Sequence, residues 1–319
     1  MINNILNICQ VSLKDNIPLI LDNYKNFRRL YKSIKIYIIC PKDQINEFRE
    51  KLNFDDIKII DEDEIISLEE FNEIFEKMSK NILYKTQFKK RLPWYYQQIL
   101  KITFALNYIN EKNENLVIWD ADTIILKKIN FFNKDKSIKY GNFFEFHKAY
   151  YLTNESILKN LPNYYISFLN QFIAITNNEK DFLLNRFLNF DYPKKKLGYN
   201  ISELILKNIF EKHKVYNGSL FSEYELIGQS NYLHSLQKQK PLLFLRYGLD
   251  GKLTKIQKLL SVLLNYKHVT YEHTHLKLKN IGMLERPQTW IGFIKIMIKD
   301  FFKFYLRYIK HIIMFNYKK

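Results

Sequence analysis

The chain has 319 residues, of which 47% are hydrophobic and 16% aromatic, and its formal net charge at pH 7 is +17. This apolar content is enough for a large buried core and excludes an intrinsically disordered protein. A basic chain can attract nucleic acid, anionic lipid or phosphorylated substrates. No basic run is longer than Lys194–Lys196, so a nucleic-acid-binding tail is not supported and we expect no nucleic-acid partner.

Both cysteines, Cys9 and Cys40, lie inside or at the end of apolar runs that resemble strands. This position is typical of buried, reduced thiols in a cytosolic protein rather than of a disulfide. The residues after Met1 contain no basic segment and no cleavage site of a secretory signal. We therefore expect a cytoplasmic protein.

Strands and helices alternate in the first part of the chain. Apolar runs predict three strands, over 4–12, 33–40 and 57–60. Helix-start signals stand after each strand, at Asp15 with Pro18, at Asp43, and at the capping-box pair Ser67 and Glu70. This alternation indicates βαβ units and a mostly parallel sheet, so the predicted fold class is α/β.

The alternation continues towards the carboxyl end, where Pro93 opens a further helix. We also predict strands over 140–146 and 168–176, a short helical or turn segment that begins at Asn154 and Glu155, and helices over 181–190 and 200–210. Glycine and proline are scarce, and no linker divides the chain. We predict one domain over 1–280 and a basic amphipathic helical tail over 281–319.

The stretch 116–126 stands out because two aspartates interrupt an apolar run. Four strand-forming residues precede Asp120 and Asp122, and a second apolar run follows. Ligands of α/β sheets bind just beyond the carboxyl ends of the strands, and carboxylates at i and i+2 can converge on Mg²⁺ or Mn²⁺. The alternative is a simple strand-end turn, which aspartate also favours.

Three stretches, taken in order, resemble a known enzyme family. They are the pattern W-Y-x-Q-Q-x-x-K from Trp94 to Lys101, the strand, Asp-x-Asp and strand over 116–126, and an acidic helix start over 221–226. Together they resemble bacterial nucleotide-sugar glycosyltransferases of the GT-A fold that build surface polysaccharide, such as capsule or lipooligosaccharide. The resemblance implies a Rossmann-type mixed, mostly parallel sheet flanked by helices, with the C-terminal amphipathic helical extension outside it.

The resemblance also implies roles for individual residues. Asp120 and Asp122 would hold Mn²⁺ or Mg²⁺ against the donor's diphosphate, with Asp120 also counted among the donor-binding residues. Lys101 or Arg91 would meet the diphosphate, whose charge suits a cation.

Two glutamines and one serine are further candidates for donor binding. Gln98 interrupts the apolar pattern of its helix, and its polar end would reach the same cleft as Lys101, although a solvated face is the alternative. Gln10 and Ser12 stand at the end of the first strand, where the resemblance implies contact with the nucleotide base or ribose.

The acidic helix start offers two candidate general bases. Ser222 and Glu225 have capping-box spacing, in which Glu225 would fold back onto the backbone of Ser222. Glu223 would stand in the first turn, where the helix dipole favours its ionised form. An ionised carboxylate beside a cleft can accept a proton from an acceptor hydroxyl, and we place Glu223 slightly ahead of Glu225 in this role.

His273 and His275 are two residues apart in a strand-like run, and a period of two puts both on one face. The resemblance implies that a C-terminal histidine completes the metal shell, so one of them is a candidate ligand. The alternative is a half-exposed strand histidine. We expect no zinc site, because neither cysteine has metal-ligand spacing.

The motifs predict a metal-dependent glycosyltransferase that moves a hexosyl or related sugar from a nucleoside-diphosphate sugar to a cell-surface glycan or glycolipid acceptor. Inversion and retention both stay open. One alternative is a metal-dependent nucleotidyl- or phosphotransferase, but the chain has no Gly-rich phosphate loop. Another is a non-catalytic scaffold of polysaccharide assembly.

The tail is predicted to be an amphipathic helix. Its apolar residues recur at helical spacing, at Trp290, Ile294, Met297, Ile298, Phe301, Tyr305, Ile309 and Ile312, and basic residues from Lys295 to Lys310 fall on the opposite face. Frequent charges exclude a membrane span. The helix either packs on the domain or lies on anionic lipid; we expect the second, which makes the protein peripheral on the inner face of the cytoplasmic membrane.

Overall fold

The computed structural model of the chain describes residues 5–80, 82–112, 114–133, 136–142, 146–159, 161, 167–187, 194–215, 218–235, 240–245, 253–271 and 290–317. The strands in these ranges are β1 (Leu6–Val11), β2 (Ile34–Cys40), β3 (Ile57–Asp61), β4 (Leu116–Trp119), β5 (Thr123–Ile125), β6 (Phe132–Asn133), β7 (Lys136–Ser137), β8 (Tyr140–Gly141), β9 (Phe172–Ile175), β10 (Lys240–Pro241) and β11 (His268–Thr270). The α-helices are α1 (Ile17–Leu30), α2 (Ile45–Lys51), α3 (Leu68–Met78), α4 (Lys85–Lys89), α5 (Leu92–Lys112), α6 (Lys148–Leu158), α7 (Asn177–Phe187), α8 (Lys194–Lys212), α9 (Glu223–Ser235), α10 (Lys255–Leu263) and α11 (Trp290–Tyr317).

The central sheet has five strands in the order β3, β2, β1, β4, β9. Strands β1 to β4 run parallel to one another, and β9 pairs antiparallel with β4. The sheet is therefore mixed and mostly parallel, and helices cover both faces, which confirms the predicted α/β class. Such cover explains why β4 and β9 are apolar throughout instead of alternating.

Each face of the sheet packs on its own group of helices. Cys9, Val11 and Ile118 point into a cluster with residues of α3, α5 and α8. Ile8 and Ile38 point to the other side, into a cluster with residues of α1 and α2. Each fully buried aliphatic or aromatic side chain contributes about 1.5–3 kcal/mol relative to exposure, so these two clusters hold the sheet together. Both cysteines are buried free thiols.

Local signals predict the helix starts correctly in some places and not in others. Ser67 and Glu70 form the predicted capping box at the start of α3. The predicted start at Asn154 and Glu155 is wrong, because α6 begins at Lys148 and both residues lie inside it. Asn154 is tolerated there because its buried amide donates to the Gln229 side chain at 2.9 Å.

Two further expectations on local structure need correction. The strand predicted over 140–146 is realised as the two-residue β8, which pairs with β10, and residues 143–145 lie outside the described ranges. Asp43 lies within a 3-10 turn and does not cap the next helix, because the residue before α2 is Gln44.

The tail forms the predicted helix, α11, but a different face of it packs inward. Phe293, Met297 and Phe304 are buried in a cluster with Tyr266 and other residues around β5 and β11. Ile294, predicted on the same face as Met297, is exposed. In the part of the chain that the structure describes, no helix has the length and apolar content needed to cross a membrane.

Candidate active site

The candidate site lies at the carboxyl edge of the parallel strands. In the register of β1 and β4, Cys9 lies opposite Ile118, so the chain segments that follow both strands leave the sheet at the same edge. Asp120 follows β4 there, and Ser12 follows β1. Helix α5 lies beside them, because the Gln97 amide donates to a backbone carbonyl of β1 at 3.3 Å. This edge is where α/β sheets bind ligands.

The ammonium of Lys101 is the centre of the site. Lys101 is 3% exposed, and its Nζ donates to Asp120 Oδ1, to Glu223 Oε1 at 2.9 Å and to the Tyr224 hydroxyl oxygen at 3.3 Å. The Tyr224 hydroxyl donates to the same oxygen of Asp120. These contacts join α5, the end of β4 and the start of α9 at one point.

One ammonium is thus shared by two carboxylates. Burial alone would lower the pKa of Lys101, but the charges of Asp120 and Glu223 outweigh burial and raise it. Lys101 therefore stays protonated at neutral pH. Burial raises the pKa of Glu223, with Lys101 opposing the shift and Asp120 adding to it. When both carboxylates are ionised, the cluster has one negative charge in excess, which suits a further cation.

The start of α9 is capped by α5 rather than by its own sequence. The Glu223 backbone N–H donates to Gln98 Oε1 at 3.1 Å, so Gln98 reaches the site as predicted. The predicted capping box is wrong, since the Ser222 hydroxyl has no hydrogen-bond partner among the described residues. The helix dipole was predicted to favour the ionised form of Glu223. The Glu223 side chain is only 2% exposed, and desolvation, which disfavours the ionised form, outweighs the effect of the dipole.

Glu225 has a different environment, although it is two residues from Glu223. Its carboxylate accepts hydrogen bonds from the Ser167 hydroxyl, from the Phe168 backbone at 3.0 Å and from the Gln229 amide at 3.1 Å. One turn later Gly228 lies so close to Phe168 that an added Cβ would lie 2.2 Å from the ring. These contacts tie α9 to the segment before β9, so we infer that Glu225 is structural.

The turn that holds Asp122 is fixed by backbone hydrogen bonds. Thr123 N–H donates to the Asp120 carbonyl at 3.1 Å, and Tyr271 N–H donates to the Asp122 carbonyl at 3.0 Å. Strands β5 and β11 pair antiparallel directly behind this turn. The two predicted metal-binding histidines, His273 and His275, follow Tyr271 in sequence and lie outside the described residues.

The carboxylate oxygens at this edge of the sheet are suitable ligands for a divalent cation that would also bind oxygens of a substrate. Asp120 and Asp122 are both partly exposed, and they offer hard carboxylate oxygens. Among the described residues, no group of three or more His, Cys, Asp and Glu could hold a metal ion. Mg²⁺ does not need such a group, because it is usually bound by one or two carboxylates together with substrate phosphates.

The other predicted donor-binding residues lie around this centre. Gln10 is buried, and its amide nitrogen has no hydrogen-bond partner among the described residues. Ser12 is buried, and its hydroxyl donates to the Leu13 carbonyl at 3.0 Å. Arg91 is exposed and donates to the Ser219 hydroxyl. Lys101 and Arg91 were both predicted to meet the donor's diphosphate. Lys101 is buried against the two carboxylates described above, whereas Arg91 is exposed.

Two residues at the site were not predicted. Tyr224 contacts both Asp120 and Lys101, and its place between two glutamates in the acidic stretch was a usable signal. Gln171 is buried with a φ of 59°, its carbonyl accepts the Asp120 N–H at 2.9 Å, and its side-chain oxygen has no partner within the described ranges. A non-glycine residue held at positive φ marks a constrained site, but no sequence pattern indicates that conformation.

Comparisons with known proteins give a family and distant structural likenesses. The sequence profile of a family of unknown function, DUF6492, matches residues 7–183. No curated protein matches the chain. Mouse xyloside xylosyltransferase 1 in its apo form is 11% identical, with a TM-score of 0.40 over 85% of this chain and 98% of that chain. An active-site mutant of LgtC is 9% identical, with a TM-score of 0.35 over 90% of this chain and 100% of that chain. These scores are low, so the fold assignment rests on the sheet itself.

Proposed function

The chain belongs to DUF6492, a family of unknown function, and from its site we propose that it is a metal-dependent glycosyltransferase. The donor is a nucleoside-diphosphate sugar, and the acceptor is a hydroxyl group of a cell-surface glycan or glycolipid. The cofactor is Mn²⁺ or Mg²⁺.

One observation carries this proposal. The three stretches that together resemble nucleotide-sugar glycosyltransferases are separate in sequence, with Glu223 122 residues after Lys101, yet the hydrogen bonds of Lys101 join them at a single point. That point lies at the carboxyl edge of the parallel strands, where such sheets bind ligands. A chance resemblance in separate stretches would not require them to meet there.

Asp120 and Asp122 are the residues that would hold the cation. When bound, a divalent cation offsets the negative charge that develops on the leaving diphosphate. His273 or His275 would complete its shell; in support, Tyr271, which precedes both in sequence, donates its N–H to the Asp122 carbonyl.

In the transfer, the acceptor oxygen bonds to the anomeric carbon of the sugar, and the bond from that carbon to the diphosphate oxygen breaks. The electron pair leaves with the nucleoside diphosphate. If the reaction inverts the anomeric centre, the hydroxyl proton goes to a carboxylate, and we assign that task to Glu223. Burial raises its pKa, which makes the ionised form a stronger base. Lys101 holds Glu223 and Asp120 in position.

A thermal-shift screen of the full chain tests the donor. Nucleoside-diphosphate sugars should raise the melting temperature in the presence of Mn²⁺ and less in its absence, because a ligand that binds only the folded state stabilises it. Donor hydrolysis should follow the same ranking. Turnover of nucleoside triphosphates without sugar nucleotides would instead support a phosphotransferase, and binding of neither would support a scaffold.

The variant Asp122→Asn tests the metal assignment. Transfer should be abolished while the melting temperature without ligand stays unchanged, because an amide lacks the charge that a divalent cation needs. Asp55→Asn is the matched control, since Asp55 is exposed just before β3, at the opposite edge of the sheet. Mn²⁺-dependent transfer by Asp122→Asn at the wild-type rate would contradict the assignment.

A further inference from the structure

Helix α11 has an inward face and an outward apolar face. Phe293, Met297 and Phe304 are buried, and Phe301 and Tyr308 pack against the same cluster. The helix is therefore part of the fold and is not a detached tail. A second apolar stripe points outward on exposed side chains, at Ile294, Ile298, Phe302, Tyr305, Leu306, Ile309 and Ile313.

Helix α10 also has a stripe of exposed apolar side chains. Ile256, Leu259 and Leu263 are spaced three and four residues apart, which puts them on one side of the helix, and all three are exposed. The end of α10 lies close to α11, because Tyr266 donates to the Met297 carbonyl at 3.0 Å. Solvent-exposed apolar groups of this extent mark an interaction surface in soluble proteins.

The charges beside these stripes have one sign. The basic residues of α11 are all exposed, at Lys295, Lys299, Lys303, Arg307 and Lys310. Asp300 is the one acidic residue in the sequence of α11, and it is partly buried near Tyr266, where burial raises its pKa. The outward side of the helix therefore presents apolar groups next to cations, with no acidic residue among them.

We propose that this apolar–basic surface, formed by the exposed residues of α10 and α11 named above, docks on an anionic lipid bilayer. Apolar side chains would enter the boundary between headgroups and acyl chains, while the lysines and the arginine contact anionic headgroups. The sequence left two alternatives for the tail, packing on the domain or binding to lipid. In this proposal both apply, because the inward face of α11 packs on the domain and its outward face binds lipid. This proposal does not depend on the reaction.

A second copy of the chain is a poorer occupant of the same surface. In a two-fold dimer each surface patch meets its own copy, so the basic residues of α11 in one copy would lie near those of the other. Juxtaposed like charges disfavour such an interface. An anionic bilayer supplies both the apolar phase and the opposite charge.

Vesicle flotation with the purified full chain tests the proposal. The protein should float with phosphatidylcholine vesicles that contain phosphatidylglycerol, should not float with phosphatidylcholine alone, and should be released by high salt. Phe302→Ser with Leu306→Ser should weaken binding by at least about tenfold. Leu259→Ser with Leu263→Ser should weaken it too. Lys299→Gln with Lys303→Gln should weaken it and reduce its salt dependence.

Leu83→Ser with Val215→Ser is the matched control, because both side chains are exposed and apolar but lie outside α10 and α11. This variant should bind like the wild type. Melting curves should be unchanged in all variants, since each replaces exposed side chains. The proposal is wrong if the wild type does not bind anionic vesicles at low salt. It is also wrong if Phe302→Ser with Leu306→Ser and Leu259→Ser with Leu263→Ser bind these vesicles as tightly as the wild type. A dimer that Phe302→Ser with Leu306→Ser dissociates, without vesicle binding, would likewise overturn it.

Discussion

Two lysines are buried almost equally deeply in this molecule, and their pKa values shift in opposite directions. Lys101 is 3% exposed and Lys139 is 1% exposed. Two carboxylates raise the pKa of Lys101 against the effect of burial. Burial lowers the pKa of Lys139 to about 8, because its nearest carboxylate, Glu179, is 3.7 Å away and only partly offsets it. The charges around a lysine, and not its depth alone, therefore decide its protonation.

The two lysines also differ in their access to a ligand. Lys101 contacts Asp120, whose side chain is 19% exposed at the edge of the sheet. Lys139 donates to the Ala174 carbonyl of β9 at 2.6 Å, and Glu179 is held by the Ser137 hydroxyl and the Thr176 N–H. The cluster around Lys101 is therefore accessible to a ligand at the edge of the sheet, whereas the cluster around Lys139 joins parts of the scaffold.

Among substitutions in the clusters around these two lysines, Glu223→Gln has the largest expected effect on the rate of transfer. The rate should fall by about 10²–10⁴-fold, because an amide cannot accept the acceptor's proton. Lys101 can still donate to the amide oxygen, so the melting temperature should change little. Single-turnover sugar transfer and thermal melting measure the two quantities.

Glu225→Gln is the control with the same chemical change. Its carboxylate accepts three hydrogen bonds, and an amide nitrogen cannot accept the donors that remain. We expect a loss of about 1–3 kcal/mol in the free energy of unfolding, with the rate preserved. A rate loss in Glu225→Gln but not in Glu223→Gln would reverse the two roles.

Lys101→Met should have the largest effect on stability. It leaves Asp120 and Glu223 side by side without the cation between them, and breaking a buried ion pair in this way costs about 3–5 kcal/mol. Adding Glu223→Gln removes one of the two charges and should restore part of the loss. Denaturant unfolding of the single and double variants measures this coupling; additive losses would show that the shared charge is not the cause.

Lys139→Met should have a smaller, pH-dependent effect. The pKa of Lys139 is about 8 in the folded chain against an ordinary value of 10.5. Between these values the unfolded chain holds a proton that the folded chain lacks, so the cost of burying this lysine in the folded chain falls as pH rises. The stability of the wild type relative to the variant should therefore grow by roughly 1 kcal/mol from pH 7 to pH 9. A constant difference in unfolding free energy over this range would contradict the shift.

The smallest expected effect on stability is that of Glu62, a partly buried carboxylate whose pKa is shifted without a contribution from any lysine. Burial, and then the charges of Asp63 and Asp61, raise the pKa of Glu62 to about 7 from 4.5. The folded chain therefore binds a proton more tightly than the unfolded chain, and this contribution to stability is lost as pH rises through 7. Glu62→Gln should raise the melting temperature slightly at pH 8 and leave it unchanged at pH 4. A similar change at both pH values would argue against the shift.

The local structure of this chain was largely readable from local sequence. The ends of β1 and β2 lie within two residues of their predictions, and the capping box of Ser67 and Glu70 is present. Such signals act between residues a few positions apart, so they survive without knowledge of the fold. The start of α6 was missed because Asn154 finds its partner in α9, and no local pattern records a contact between distant segments.

The residues of the candidate site were predicted one by one, but their pairing was not. Sequence patterns singled out Lys101, Asp120, Glu223 and Glu225 as candidates. Only the packing of α9 between two neighbours turns Glu223 towards Lys101 and Glu225 towards Ser167. Their separation by two residues puts them on different sides of a helix, and which side faces the site depends on how the helix packs. The roles of His273 and His275 stay predictions.

The tail shows the same division between sequence and tertiary structure. Helical spacing of apolar residues was enough to predict α11, and the frequent charges of the tail were enough to predict that it does not span a membrane. That spacing covers more than one side of the helix, so it could not indicate which apolar residues would be buried. The cluster around Tyr266 receives Met297 and leaves Ile294 in solvent, because a helix can bury only the side that faces its neighbour. Periodicity determines that a helix forms, and the shape of the surface it meets decides which face is left for a partner.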